Sequence, residues 1–414
     1  MYKRVHLPSD SDWQWSRITP FASTVQVDDL IFVSGQNSID DSGNVLDPEN
    51  ISAQTRNVFE RMKNVLASAG AKLTDLVRLN TYYVFDGEDK DATMFWENMT
   101  RVRLEYFPDP GPAATAVRVK GMPYPGQLIQ IEGIAVVGKS RESRVRVMPK
   151  GHWDWSIPVP LSQGWKVGNR IFVGGQISAD CDAKSVAPFD IRAQTQNVYN
   201  FIQKVVLDAG ANMEDLAHVK ICYKAGGEKA KEEYLSEILS VTEEFFRSPG
   251  PAVTAFGVDL LYPGLVLEID AMGLVDPNRR RLTLEGEGSA CQSKMLSDGW
   301  HAAGEIYVSG QNAMPDKSSL KISTGIEDQA KIVFQRIERI LASGNIGMGD
   351  ITKLNLFFLR GEQGGGFTED FHKVAEVWGK IAPSTNPSMT AVQTHGLPAD
   401  GLLFQADCIA INSN

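Results

Sequence analysis

The residue best placed by type to do chemistry is a glutamate. Glu268 lies in LVLEID, Leu265–Asp270, alternating with Leu267 and Ile269. Buried beside apolar side chains, its carboxyl would hold its proton more tightly, which suits a general base for water. A glutamate hydrogen-bonded within a sheet and holding its register is the competing reading, and both stay open. Thr115, Thr254 and Thr390 form a second set. They occupy one place in the near-copies GPAATAV (from Gly111), GPAVTAF (from Gly250) and NPSMTAV (from Asn386). Each hydroxyl either bonds a ligand or belongs to an ordinary β-branched strand residue.

Other chemistries find little support. The histidines at 6, 152, 218, 301, 372 and 395 share no place among the copies, so no repeated triad or metal site is expected. The cysteines Cys181, Cys222, Cys291 and Cys408 form no CxxC. They read as bystander thiols in a reducing compartment, and no cofactor or metal is expected.

The elements that hold these residues come in threes. LIFVSGQ ends at Gln36, RIFVGGQ at Gln176 and EIYVSGQ at Gln311, offsets of 140 and 275. The same offsets, within one residue, relate the helix starts ISAQTRNVF and IRAQTQNVY to Gln329–Phe334, and relate the three threonines. Such long periods mean whole domains rather than a solenoid. The expected domains are residues 1–138, 150–275 and 290–414. Each reads ββαβαββ. TVQV and LIFVSGQ flank an Asp28-Asp29 turn. A helix follows with Val58, Phe59, Met62, Val65 and Leu66 on one face, stopped at Ala69-Gly70. Next come the strand VRLNTYYV, a helix holding Phe95, Trp96, Met99 and Val102, and closing strands at Ala113–Lys120 and Leu128–Val137. Helices on one face of a mixed sheet make an α+β fold, and the copies are expected to cover one another's bare sheet faces.

Composition narrows the partners. A net charge of −10 disfavours nucleic acid. The basic runs Lys139–Arg146 and Arg279–Arg281 fall between repeats and read as solvated linkers. The start of the chain has no apolar core of a signal peptide, and no apolar run approaches the roughly 20 residues that span a bilayer. A cytoplasmic protein with a small-molecule ligand, no nucleic acid and no membrane is expected.

The motifs resemble the Rid/YjgF superfamily of reactive intermediate deaminases (endoribonuclease L-PSP-like). They are the VSGQ strand (Val33–Gln36), the AQT helix start (Ala53–Thr55), the strand Asp75–Val84, the Pro112–Val117 strand and the segment Met122–Ala135, repeated in each later copy. The resemblance covers nearly the whole chain. It implies three tandem Rid-like (chorismate-mutase-like) domains forming a pseudo-trimer with a central β-barrel and ligand clefts between neighbours. The expected state is a monomeric pseudo-trimer, with further self-association left open.

The resemblance also implies roles for residues. In the family's enamine and imine hydrolases an Arg on the GPAATAV-type strand grips a substrate carboxylate. A Glu on the last strand positions water, and a Tyr and the Gly of SGQ complete the pocket. Here the Arg position holds Ala114, Val253 and Met389. The Tyr position holds Phe21, Leu161 and Leu296. The Glu survives as Glu268, against Gln130 and Gln405. The Gly remains as Gly35, Gly175 and Gly310. Arg118 shares the face of Ala114 but lies about 13 Å along the strand, too far to replace the lost Arg; its counterparts are Asp259 and His395.

The expected function is a Rid-type hydrolase or deaminase. Its substrate would be an enamine, imine or amide-type small molecule, bulkier or less acidic than the usual 2-imino acids, with water activated by Glu268 at an inter-repeat cleft. The alternative is a non-catalytic metabolite-binding or scaffold protein; ribonuclease activity is the weakest reading. Glu132, Asp270 and Asp407, acidic in all three copies, are expected to tie their strand to a helix N-terminus. Two Trp pairs, in WQWS (Trp13–Ser16) and WDWS (Trp153–Ser156), either line clefts or pack repeat against repeat. Ser34, Ser309, Asn37 and Asn312 flank the pocket glycines and could bond a ligand.

Overall fold

The computed structural model describes residues 4–6, 20–40, 42–225, 231–247, 249–284, 295–315, 322–359, 366–383 and 385–412. The Trp13–Ser16 motif and Cys291 lie outside them. The first unit comprises β1 (Arg4–His6), β2 (Thr24–Val27), β3 (Leu30–Asn37), α1 (Ile51–Ser68), β4 (Leu76–Tyr83), α2 (Ala92–Tyr106), β5 (Ala113–Arg118) and β6 (Ile129–Val136). After the short α3 (Gly138–Glu142), the second unit comprises β7 (Val145–Val147), β8 (Gly164–Val167), β9 (Arg170–Ile177), α4 (Ile191–Asp208), β10 (Leu216–Lys224), α5 (Lys231–Phe245), β11 (Ala252–Val258) and β12 (Leu267–Leu274). The third comprises β13 (Arg280–Leu282), β14 (Gly299–Ala302), β15 (Glu305–Asn312), α6 (Ile326–Ser343), β16 (Ile351–Phe358), α7 (Phe367–Ile381), β17 (Ser388–Gln393) and β18 (Phe404–Ile411).

Each unit is a six-stranded sheet of one topology, β1-β2-β3-β6-β4-β5 in the first, with two helices. Only the β4–β5 type of pair is parallel. The apolar face of α1 is fully packed, its five expected residues at most 3% exposed. Asn50 caps the helix by accepting from the Ala53 N–H, and Gly70 leaves it at φ 72°. The Gln of the AQT motif is structural. Gln54 donates to the carbonyls of Asp47 and Gly126 and accepts from the Leu128 N–H. Gln194 and Gln329 make the same three bonds in their units. Each pins the loop ahead of the last strand to a helix, which fixes where that strand begins.

Two features differ from the sequence expectation. Each sheet gains a three-residue edge strand ahead of its hairpin, β1, β7 or β13. The basic linker runs are also partnered, with acids of the preceding unit. Arg141 meets Asp75 at 2.8 Å, Arg146 meets Asp109 at 2.9 Å and Arg279 meets Asp215 at 3.2 Å.

The units pack head to tail: β5 against β9, β11 against β15, and β17 against β3. Parallel bridges join Ala113 to Ser162, Ala252 to Ser297 and Ala22 to Ser388. Three sheets thus close a ring through isolated bridges rather than through one continuous ladder. Arg118 pairs with its counterpart Asp259 at 2.9 Å, and His395 approaches the same carboxylate at 3.5 Å, so the three counterpart residues meet one another.

The inner faces enclose a charged cluster. Glu132, Asp270 and Asp407 do not reach helix N-termini as expected. Glu132 binds Lys353 at 2.6 Å and lies 3.7 Å from Lys220; Asp270 binds Arg78; Asp407 accepts from Asn355 at 2.7 Å. The cations come from strands β4, β10 and β16, at the third position in two of them (Arg78 and Lys353) and at the fifth in the other (Lys220). Burial works against the Glu132 carboxylate, but Lys353 and Lys220 outweigh it and hold the group down at about 2.

Candidate functional site

A solvent-open cleft lies between the first and second units, and Glu268 is in its wall. The strand order explains why. β12 sits between β9 and β10, and β9 is the strand that meets β5 of the first unit. A register shift between Ile269 and Ala271 bends the β12–β9 pairing beside Gly174 and Gly175. A Cβ at Gly175 would collide with the Glu268 carboxyl. One at Gly174 would press on the Ala114 backbone at 3.0 Å. The glycine pair therefore lets two strands and a carboxyl crowd into one place. Gly35 and Gly310 do the same for Gln130 and Gln405.

Glu268 is 7% exposed. Burial, then the nearby Asp270 charge, push its carboxyl up to about 8, against the pull of a hydrogen bond from the Ala116 N–H. At neutral pH it holds its proton. Around it stand Ala114 and Leu161, two of the positions expected to line the pocket, with Leu261 and Ile177. Thr115 borders the cleft, but its hydroxyl donates to Asp270 at 3.1 Å, toward the axis. Thr390 likewise bonds Glu132, and Thr254 shares a 3.0 Å bond with His218. All three hydroxyls are engaged in the axial cluster.

The WDWS segment resolves into both of its readings. Trp153 and Trp155 line the cleft, their rings 4.8 Å apart and edge to face. Trp153 Nε1 donates to Gln176 at 3.2 Å. The next residue crosses to the first unit: the Ser156 hydroxyl donates to Glu97 at 3.1 Å, while its N–H donates to the Tyr262 hydroxyl at 3.0 Å. The segment roofs the cleft with aromatic surface and straps the units together.

One residue of the site escaped the sequence reading. Arg103, on α2, lines the cleft and is 1% exposed. Its Nη2 donates to the Thr81 hydroxyl at 3.1 Å, while Nε and Nη1 have no partner among the described residues. Burial pulls the guanidinium down to about 10. The sequence signal was an Arg within the buried row of α2 that holds Trp96, Met99 and Val102. The matching positions of α5 and α7 are Thr242 and Trp378.

The other two interfaces between units are different. Between the second and third units, Val253 and Leu296 are buried, and Gln405 donates to the Ala255 carbonyl at 3.0 Å. Between the third and first, the Ser34 hydroxyl donates to the Ala22 carbonyl at 2.5 Å and accepts from the Met389 N–H at 2.8 Å. Phe21 packs on Trp378 with centroids 6.5 Å apart. Ser309 accepts from Gln311 at 2.7 Å, and Asn312 from the Met314 N–H at 3.1 Å. Asn37 is buried opposite Gln130 with its amide atoms unpartnered. Among the described residues, no group of His, Cys, Asp and Glu could hold a metal ion, and no helix is long and apolar enough to cross a membrane.

Comparison with known proteins agrees with this architecture. The family model described as Endoribonuclease L-PSP matches three times, over residues 14–137, 156–275 and 291–412. The 3-aminoacrylate deaminase RutC of Acinetobacter baylyi is 33% identical over 120 residues, 29% of this chain and 89% of that protein. A RutC family protein of Pyrococcus abyssi is 36% identical over 118 residues, 28% of this chain and 87% of its own. Among solved structures, a chorismatase superposes on 81% of this chain and 93% of its own with a TM-score of 0.51 at 11% identity, a likeness of fold alone. The chain therefore belongs to the endoribonuclease L-PSP family, within the Rid superfamily, and carries three tandem copies of its domain.

Proposed function

We propose that the cleft between the first and second units is a hydrolytic site that releases ammonia from an imine or enamine. Glu268 is the group that moves the proton. The observation that carries this reading is a buried carboxyl, protonated at neutral pH, in the wall of the cleft between two units. The RutC relative's deaminase activity supports ammonia release as the outcome.

In the proposed reaction Glu268 gives its proton to the imine nitrogen, or to the enamine carbon, forming an iminium ion. The carboxylate left behind takes a proton from water as the water oxygen bonds to the iminium carbon. Glu268 then protonates the amine of the carbinolamine and recovers the hydroxyl proton as the C–N bond breaks. The sum is imine plus water giving a carbonyl compound plus ammonia, with Glu268 unchanged. Ala114 and the aromatic roof favour a substrate bulkier than small 2-imino acids. The other two clefts carry the amides Gln130 and Gln405, which cannot transfer this proton, and are read as structural. A net charge of −10 speaks against the RNA cleavage that the family's description names.

The test is ammonia release from freshly generated imines, small and aromatic, by the purified chain. Turnover is expected on the bulky ones, and Glu268→Gln should remove it while the folded structure persists. Undiminished turnover by that variant overturns the role.

A further inference from the structure

We propose that Arg103, working from helix α2, is the anion-binding residue of this cleft and makes it selective for ring-bearing carboxylates. The inference rests on the reading of the cleft given above and names its substrate class. On sequence grounds, the loss of an Arg at Ala114, Val253 and Met389 points away from an acidic ligand. The structure places a different guanidinium in the cleft where Glu268 lies, delivered from the helix behind the strand rather than from the strand itself.

Three observations carry it. Arg103 is buried and has no ion-pair partner among the described residues; one of its five N–H groups reaches Thr81, and Nε and Nη1 reach nothing. Buried cations are otherwise paired, because an unpaired one is costly. The second is Trp96, seven residues earlier on the same helix. It also lines the cleft, is 2% exposed, and leaves its Nε1 donor unpartnered. Seven residues are two helical turns, so Trp96 and Arg103 share one face of α2. Unused N–H donors on two side chains of one helix thus border one cleft, and Glu268, neutral at pH 7, does not compete for them.

The third observation is internal to the chain. The positions matching Trp96 are Leu235 and Phe371, which have no donor. Those matching Arg103 are satisfied locally: Thr242 bonds Tyr199 and the Ile238 carbonyl, and Trp378 bonds the Thr385 carbonyl. Thr81 is likewise matched by Ile221 and Leu356. The unpaired donors and the glutamate fall in one cleft of three. Guanidinium donors suit a carboxylate, and the aromatic side chains Trp153 and Trp155 in the cleft wall suit a ring.

The test is calorimetric titration of the full chain at pH 7 with trans-cinnamate and with its amide, cinnamamide. The wild type is expected to bind the acid at least about tenfold more tightly, a gap typical of one charge-assisted contact. Arg103→Met should erase that preference, leave amide binding within about twofold, and raise the Tm, because it removes an unpaired buried charge. A wild type with no preference for the acid overturns the proposal whatever the variant does. So does an Arg103→Met protein that keeps the preference. Ammonia release reads Glu268 independently: a chain that prefers the acid yet never releases ammonia refutes the hydrolase and leaves the anion site standing, and the converse refutes the anion site alone.

Discussion

Glu268 and Arg103 have opposite charges when ionised, share one cleft, and are each displaced from their ordinary state by burial. The glutamate's shift has a defined sign. Below about 4.5 it is protonated in both the folded and unfolded chain. Between about 4.5 and 8 only the folded chain keeps the proton, so stability falls as pH rises through that window, by at most about 1.4 kcal/mol per pH unit. Urea denaturation at pH 5 and pH 8 should show Glu268→Gln losing less stability across the interval than the wild type. Activity should follow the same proton. With the protonated form competent, kcat/KM is expected to be level below pH 8 and to fall above it; a profile that rises through pH 8 would instead make the ionised form the reactive one. The neighbours do not blur this limb. Tyr83, Tyr262 and Cys222 are all pushed up by burial.

At the scale of elements, the cleft depends on how β9 meets β5 and β12. Gly175→Ala should press a methyl group into the Glu268 carboxyl. Overpacking of this kind costs about 1–3 kcal/mol, and a loss of kcat larger than the loss of stability would locate the strain at the catalytic group. Much of this was legible in the sequence. Apolar spacing at Val58, Phe59, Met62, Val65 and Leu66 gave α1 its face, and three copies of one motif located the clefts. What was not legible is tertiary. Arg103 could be noticed as an oddity in an apolar row, but only packing shows that no acid among the described residues pairs with it. Strand alternation could not say whether Thr115 would use its hydroxyl in the cleft or at the axis. Nor could spacing tell that Glu132 and Asp270 would find cations on strands of other units, and Asp407 an amide, rather than helix ends.

At the scale of the whole molecule, the three units are held by an interior that is charged as well as apolar. Lys353 serves Glu132 from another unit, and burial pulls its own ammonium below the usual lysine range against the attraction of that carboxylate. Replacing one partner of such a pair leaves the other stranded. Lys353→Met is therefore expected to destabilise the chain by about 3–5 kcal/mol in chemical denaturation, with no direct effect on the cleft. A loss below about 1 kcal/mol would mean that Glu132 is satisfied without it.

The closing of the ring within one polypeptide has a genetic consequence. Where three identical chains make such a ring, every codon change is written into all three crevices at once, and a change that suits one crevice must be tolerated by the others. Here each crevice has its own codons. One copy can acquire an unpaired cation and keep an acid while its two siblings become mortar, and each step can be a single heritable change.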